Sequence, residues 1–174
     1  MNGNCHFVFG AACGTMLAVN ADKIETVLPN ITASPSTATL FVLGGLIGGI
    51  LPDIDNPDSY IGKLSVPLSS FIGSVQKVFG RTDSRHRGLL HDPIVYIVGL
   101  VLSYLYFVPI VGLFAGCLTH IFLDLFNPSG VPFLFGVKHL RLAKISSGSK
   151  ESIIFTWTFT AAVVIIGTAV KLLM

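Results

Sequence analysis

Four stretches of this 174-residue chain carry side chains able to hold a metal ion or move a proton. The strongest is His120-Ile-Phe-Leu-Asp124. Its i, i+4 spacing puts an imidazole and a carboxylate on one helix face, about a turn apart. That donor pair suits Zn²⁺ or Mn²⁺; the plainer reading is a buried His–Asp hydrogen bond joining two helices. Leu51-Pro52-Asp53-Ile54-Asp55 places two carboxylates two residues apart. A cation relieves the repulsion between like charges so close, although aspartates also favour a simple helix exit. His86-Arg87-Gly88-Leu89-Leu90-His91 offers two imidazoles five residues apart. Either could ligate a metal, and Arg87 could grip a phosphate or carboxylate in bidentate fashion. His6, alone near the start, gains weight only from this company. His139, beside Lys138 and Arg141, reads as a contact for lipid headgroups, and Asp58, within Asn56-Pro57-Asp58-Ser59, reads as a turn acid.

Other chemistries lack their signatures. There is no Gly-x-Ser-x-Gly elbow and no His-Glu-x-x-His run. Cys5, Cys13 and Cys117 show no Cys-x-x-Cys spacing, so they read as small apolar packing residues.

The elements that position these residues are apolar. Hydrophobic residues make up 52% of the chain and charged ones 11%, with a mean hydropathy of +0.76. A water-soluble domain carries about 25% charged residues, so lipid must solvate much of this exterior. Five apolar segments cover roughly residues 6–20, 37–51, 93–108, 109–126 and 152–174. Only the last meets the ~20 residues that an untilted membrane helix needs. No Lys or Arg precedes the first, which therefore reads as a retained helix and not a signal peptide. Pro52 closes the second segment and Pro93 opens the third, while Pro109 splits the third and fourth into a helical hairpin. Gly44, Gly45, Gly48 and Gly49 form overlapping small-xxx-small pairs, a device for close helix approach in lipid. The expected fold is all-α, a single domain over residues 1–174. It is a bundle of about five transmembrane helices with an interfacial amphipathic helix near residues 64–79, between the second and third.

Nine of the eleven Lys and Arg residues lie in two connections, 52–92 and 127–151. With five crossings both connections fall on one side, and the positive-inside bias makes that side cytoplasmic, with the N-terminus inside. His6, Asp53, Asp55, His86, His91, His120, Asp124 and Glu151 all reach this same face. There is no basic run of the length that nucleic acid demands, and the lipid bilayer is the expected partner.

In this order, His6, Leu-Pro-Asp-Ile-Asp (51–55), His-Arg-Gly-Leu-Leu-His (86–91) and Thr-His-Ile-Phe-Leu-Asp (119–124) resemble the bacterial YdjM-type family. Those are small inner-membrane proteins described as metal-dependent hydrolases, themselves distantly similar to zinc-dependent phospholipase C and P1 nuclease. Leu90 and Asp92 stand where that family commonly has a hydroxyl residue and a serine, and Glu151 fills a missing second His-xxx-Glu pair by position only. The resemblance implies a hydrolase with one to three divalent metals, zinc or else manganese. Its ligands would come from His6, Asp53, Asp55, His86, His91, His120, Asp124 and Glu151, with Asp55 as general base and Arg87 neutralising charge on a phosphoryl oxygen. A site at headgroup depth favours a phospholipid or another membrane phosphoester as substrate. An ion or solute transporter and a non-catalytic metal-binding scaffold are the competing readings.

Overall fold

The computed structural model describes residues 2–56, 58–67, 70–71, 74, 89–135 and 137–174. Seven α-helices are formed among them: α1 (Gly3–Val19), α2 (Ala21–Val27), α3 (Pro35–Gly48), α4 (Tyr60–Leu64), α5 (Pro93–Tyr106), α6 (Val111–Asp124) and α7 (Lys150–Leu173). Short 3₁₀ turns at Leu51–Asp55, Leu89–His91 and Val108–Ile110 end or begin the helices beside them. Caps explain several starts. The side chains of Asn2, Ser34, Asp92 and Ser149 each accept a backbone N–H in the first turn of the helix that follows. Proline occupies the first position of α3 and of α5, where its missing N–H costs nothing.

Helix α3 lies at the centre, packed on α1 along one side and on α6 along the other. Its glycines make this possible. Gly45 and Gly49 face Gly10 and Gly14 of α1, while Gly44 and Gly48 face Gly112 and Gly116 of α6. A Cβ at Gly44 would overlap the Gly112 backbone, and one at Gly45 would overlap the carbonyl of Gly10. The packing role expected of this run is thus realised on two faces at once. Helix α7 lies against α1 and buries a stripe of Ser152, Thr156 and Thr160, while Phe155 and Phe159 pack on Phe122 and Phe126 at the end of α6. At the end remote from the histidines, Asn20 donates to the carbonyls of Met16 and Gly167. Nearby, Lys171 pairs with Asp22 at 2.8 Å and holds its carboxyl below the usual carboxylate range.

Outward faces are apolar. Leu43, Ile47, Val98, Leu102, Leu105, Ile154, Trp157 and Ile165 are all exposed. By length and composition two stretches can cross a membrane, Pro35–Asp55 with 21 residues and Lys150–Leu173 with 24. Three further apolar helices, Gly3–Val19, Pro93–Tyr106 and Val108–Asp124, fall in the 10–17 residue class. Five crossing helices were expected; two of them reach full span length and three are shorter.

The fold is mostly helical and not purely so, which corrects the all-α expectation. Val131–Phe133 and Lys138–Leu140 pair antiparallel, with Val131 opposite Leu140. Strands of three residues, one of them containing Pro132, are too short to show alternation, so this segment reads as loop in the sequence. The interfacial helix expected over 64–79 lies largely outside the described residues; α4 ends at its first position, Leu64.

Candidate metal centre

Six of the side chains singled out by type and spacing meet at one end of the bundle. His6 comes from the first turns of α1, His120 and Asp124 from the end of α6. Asp53 and Asp55 come from the 3₁₀ turn after α3, and His91 from the 3₁₀ turn before α5. The turn Leu51–Asp55 buries Pro52 and Ile54, which anchor it while the two aspartates reach the cluster. His6, His91, His120 and Asp124 are almost wholly buried.

Four of these donors form a compact set. His91 Nε2 lies 3.3 Å from Asp53 Oδ1 and 3.8 Å from Asp124 Oδ2. His120 Nε2 lies 3.6 Å from Asp53 Oδ1 and 3.7 Å from Asp124 Oδ2. Ligand atoms held ~2.0–2.2 Å from a tetrahedral zinc stand roughly 3.3–3.6 Å apart. The four observed separations are close to those edges.

Two overlapping candidate ligand groups result, Asp53 with His91 and His120, and His6 with His120 and Asp124, the donor atoms of each lying within 4.8 Å of one another. His6 Nε2 is 3.4 Å from Oδ1 of Asp124, the oxygen turned away from His91 and His120, and its ring stacks on His120 with centroids 3.7 Å apart. Asp55 Oδ1 lies 3.8 Å from the outer nitrogen of His91. The Gly49 carbonyl accepts the Nδ1–H of His120 at 2.8 Å. A carbonyl can only accept, so the ring proton sits on Nδ1 and the lone pair of Nε2 points inward. That lone pair finds carboxylate oxygens, and among the described residues Nε2 of His120 and of His91 have no hydrogen-bond partner. For His120 an acceptor nitrogen thus faces carboxylate oxygens in a largely buried pocket, an arrangement that a cation would relieve. A metal with imidazole and carboxylate ligands answers that need, and an outer partner on each histidine is the usual arrangement in such sites.

Not every expected residue joins the cluster. Glu151 is exposed in the first turn of α7 and belongs to neither candidate ligand group. Topology alone points to it, and the direction of a helix start does not fix how far its side chain reaches inward. His86 and Arg87 lie outside the described residues. His139 is exposed on the second strand.

Two positions that the sequence reading left aside support the site. The Tyr96 hydroxyl donates to the Leu90 carbonyl, next to His91. Asp92 is fully buried; one carboxylate oxygen caps α5 by accepting the Ile94 N–H at 3.0 Å, and the other accepts the Phe135 N–H. That second bond holds the hairpin tip, where Leu134 and Phe135 adopt left-handed backbone angles (φ 54° and 56°) that non-glycine residues seldom take. The Asp-Pro pair at 92–93 carries a capping signature that marks half of this role. Asp92→Asn replaces one acceptor by an N–H donor, so one backbone N–H loses its partner. It should cost about 1–3 kcal/mol, read from thermal unfolding in detergent; an unchanged midpoint would count against the tether.

One ligand candidate has an outlet. Asp53, with its side chain 22% exposed, lines a cleft of about 540 Å³ bounded by the start of α1 and the turn after α3.

The family model described as YdjM inner membrane protein matches residues 1–173. Two curated proteins, each named "Inner membrane protein YdjM", one from Escherichia coli strain K12 and one from Shigella flexneri, are 29% identical to it over 143 residues. The match covers 78% of this chain and 65% of each relative, so the chain spans just under two thirds of their length. No solved structure matches.

Proposed function

The chain belongs to the YdjM inner membrane protein family, and from that premise we propose that it is a metal-dependent hydrolase of membrane phosphoesters. The reading takes all five long apolar helices as crossings, with the cluster at the cytoplasmic interface on the side of the basic connections. One observation carries it: inward-facing imidazole nitrogens of His91 and His120 meet oxygens of Asp53 and Asp124 at 3.3–3.8 Å. These four residues would hold one divalent ion, zinc or manganese. His6 would orient Asp124, and the Gly49 carbonyl would orient His120. Asp55, whose side chain is 3% exposed beside His91 Nδ1, is better placed to orient that ring than to reach water.

A bound divalent ion would act as a Lewis acid toward a phosphoryl oxygen and lower the pKa of water. Asp53 opens on the cleft, and its second oxygen, Oδ2, would take the proton of the attacking water. Attack of the water oxygen on phosphorus would break the bond to the ester oxygen, and the departing alkoxide would take up the proton held by Asp53. Arg87, close in sequence to His91, keeps its proposed task of neutralising phosphoryl charge.

The test uses purified protein in detergent with total lipid extract, following released phosphate or water-soluble headgroup. Chelator treatment should lower the rate by at least ~100-fold, the worth of several kcal/mol of Lewis-acid assistance, and added zinc or manganese should restore it. Metal bound at one equivalent without any hydrolysis would instead favour the scaffold. Ion flux in proteoliposomes without hydrolysis would favour a transporter, although the polar cluster at a single end of the bundle does not mark a through-path.

A further inference from the structure

The cleft beside Asp53 has its own chemistry. Its walls include Asn2, Asn4 and Phe7 from the start of α1, and Ile50, Asp53 and Asp58 from the segment after α3. Phe7 is 44% exposed. Ile50 continues the outward face of α3 on which Ile47 and Leu43 are exposed, at i, i+4 and i+7 spacing. An apolar track therefore runs from the lipid-facing side of α3 into the cleft. The opposite, polar rim carries Asp58, whose backbone N–H donates to Asn56 Oδ1 at 3.0 Å and so fixes the turn. Its carboxylate is exposed and has no ion-pair partner among the described residues. No Lys or Arg is among the described residues lining the cleft.

We propose that this cleft is a side entrance for a phospholipid with an ammonium-bearing headgroup. Asp58 would receive the ammonium, the phosphate would reach the ion held at Asp53, and an acyl chain would follow Phe7, Ile50 and Ile47. The assignment rests on the metal-dependent reading above and adds the substrate class and a residue that selects it. Charge arrangement decides between lipids. A carboxylate on the rim attracts an ammonium and repels a headgroup whose only charge is negative. Asn2 and Asn4 offer amide groups to the glycerol and ester oxygens without altering that charge balance. Asp58 itself stays outside the ligand set, so its substitution leaves the metal in place.

The experiment offers detergent-solubilised, zinc-loaded protein equal amounts of phosphatidylethanolamine and phosphatidylglycerol, and counts retained lipid together with any cleavage products of each by native mass spectrometry. The zinc content of the same samples is measured in parallel. Wild type should retain phosphatidylethanolamine over phosphatidylglycerol by about two- to fivefold, the worth of one exposed ion pair. Asp58→Asn should bring that ratio to about one, and Asp58→Lys should invert it. Equal retention by wild type, or a preference that survives in Asp58→Asn, overturns the assignment. Zinc present without a lipid preference sinks the entrance alone, whereas absence of zinc in wild type sinks the metal reading beneath it.

Discussion

On the proposed metal centre, purified His120→Asn protein should bind zinc more than about 100-fold more weakly than wild type does. The limit follows from partners outside the coordination sphere, whose loss typically costs 10–100-fold; an inner ligand should cost more. Asparagine is the informative replacement because its amide N–H can still reach the Gly49 carbonyl that holds the imidazole. Packing of α6 on α3 is then retained while the inward-facing nitrogen is removed. His6→Ala should fall inside the 10–100-fold range, since His6 contacts the outer oxygen of Asp124 and stacks on the His120 ring. Glu151→Gln should change nothing, its side chain being exposed. Metal titration against a competing chelator, followed by elemental analysis, reads all three. If His6→Ala loses more than His120→Asn, the inner and outer roles must be exchanged. If all variants match wild type, the metal centre is wrong.

Gly44→Val should abolish the folded bundle. Replacing a glycine within a helix ordinarily gains up to about 1 kcal/mol in helix propensity when the newcomer is alanine, and less when it is β-branched. Against that, a Cβ at Gly44 overlaps the backbone of Gly112, and a backbone cannot move aside as the end of a side chain can. The helices must part, and overpacking of this kind costs about 1–3 kcal/mol even where side chains can yield. Here it should cost more, since opening the α3–α6 contact also separates Gly48 from Gly116. Gly3→Ala is the matched control, because nothing stands within 4 Å of its would-be Cβ. Size-exclusion chromatography in mild detergent should show a single peak for Gly3→Ala and aggregate for Gly44→Val. A monodisperse Gly44→Val protein would refute the packing account.

Much of this was legible before any coordinates, and the reasons differ by residue. His120 and Asp124 are readable because a helix turns i, i+4 spacing directly into proximity. The glycine run at 44–49 is readable because lipid leaves few other uses for such a run. Asp53 and Asp55 could be grouped with them only through topology, and topology could not say which aspartate would face His91 from within. The choice between His86 and His91 depends on how a long connection folds back, which local spacing does not encode; His91 is placed at the cluster and His86 lies outside the described residues. Asp92 escaped because its second partner is a backbone N–H 43 residues away, and no side-chain pattern announces a backbone donor. Glu151 shows the converse, since topology brings a helix start to the right end of the bundle without setting the depth of its side chain.

Gly49 belongs at once to the seam against α1 and to the hydrogen bond that orients His120. A slip of α3 by one residue moves its backbone about 1.5 Å along the axis. That is enough to break a 2.8 Å hydrogen bond and to carry the Leu51–Asp55 turn out of line with His91 and His120. The interdigitated glycines allow no such intermediate setting, so the bundle works as a vernier whose single tooth position fixes the spacing of the cluster. Tuning this site would therefore begin with the registration of its helices, before any substitution among its ligands.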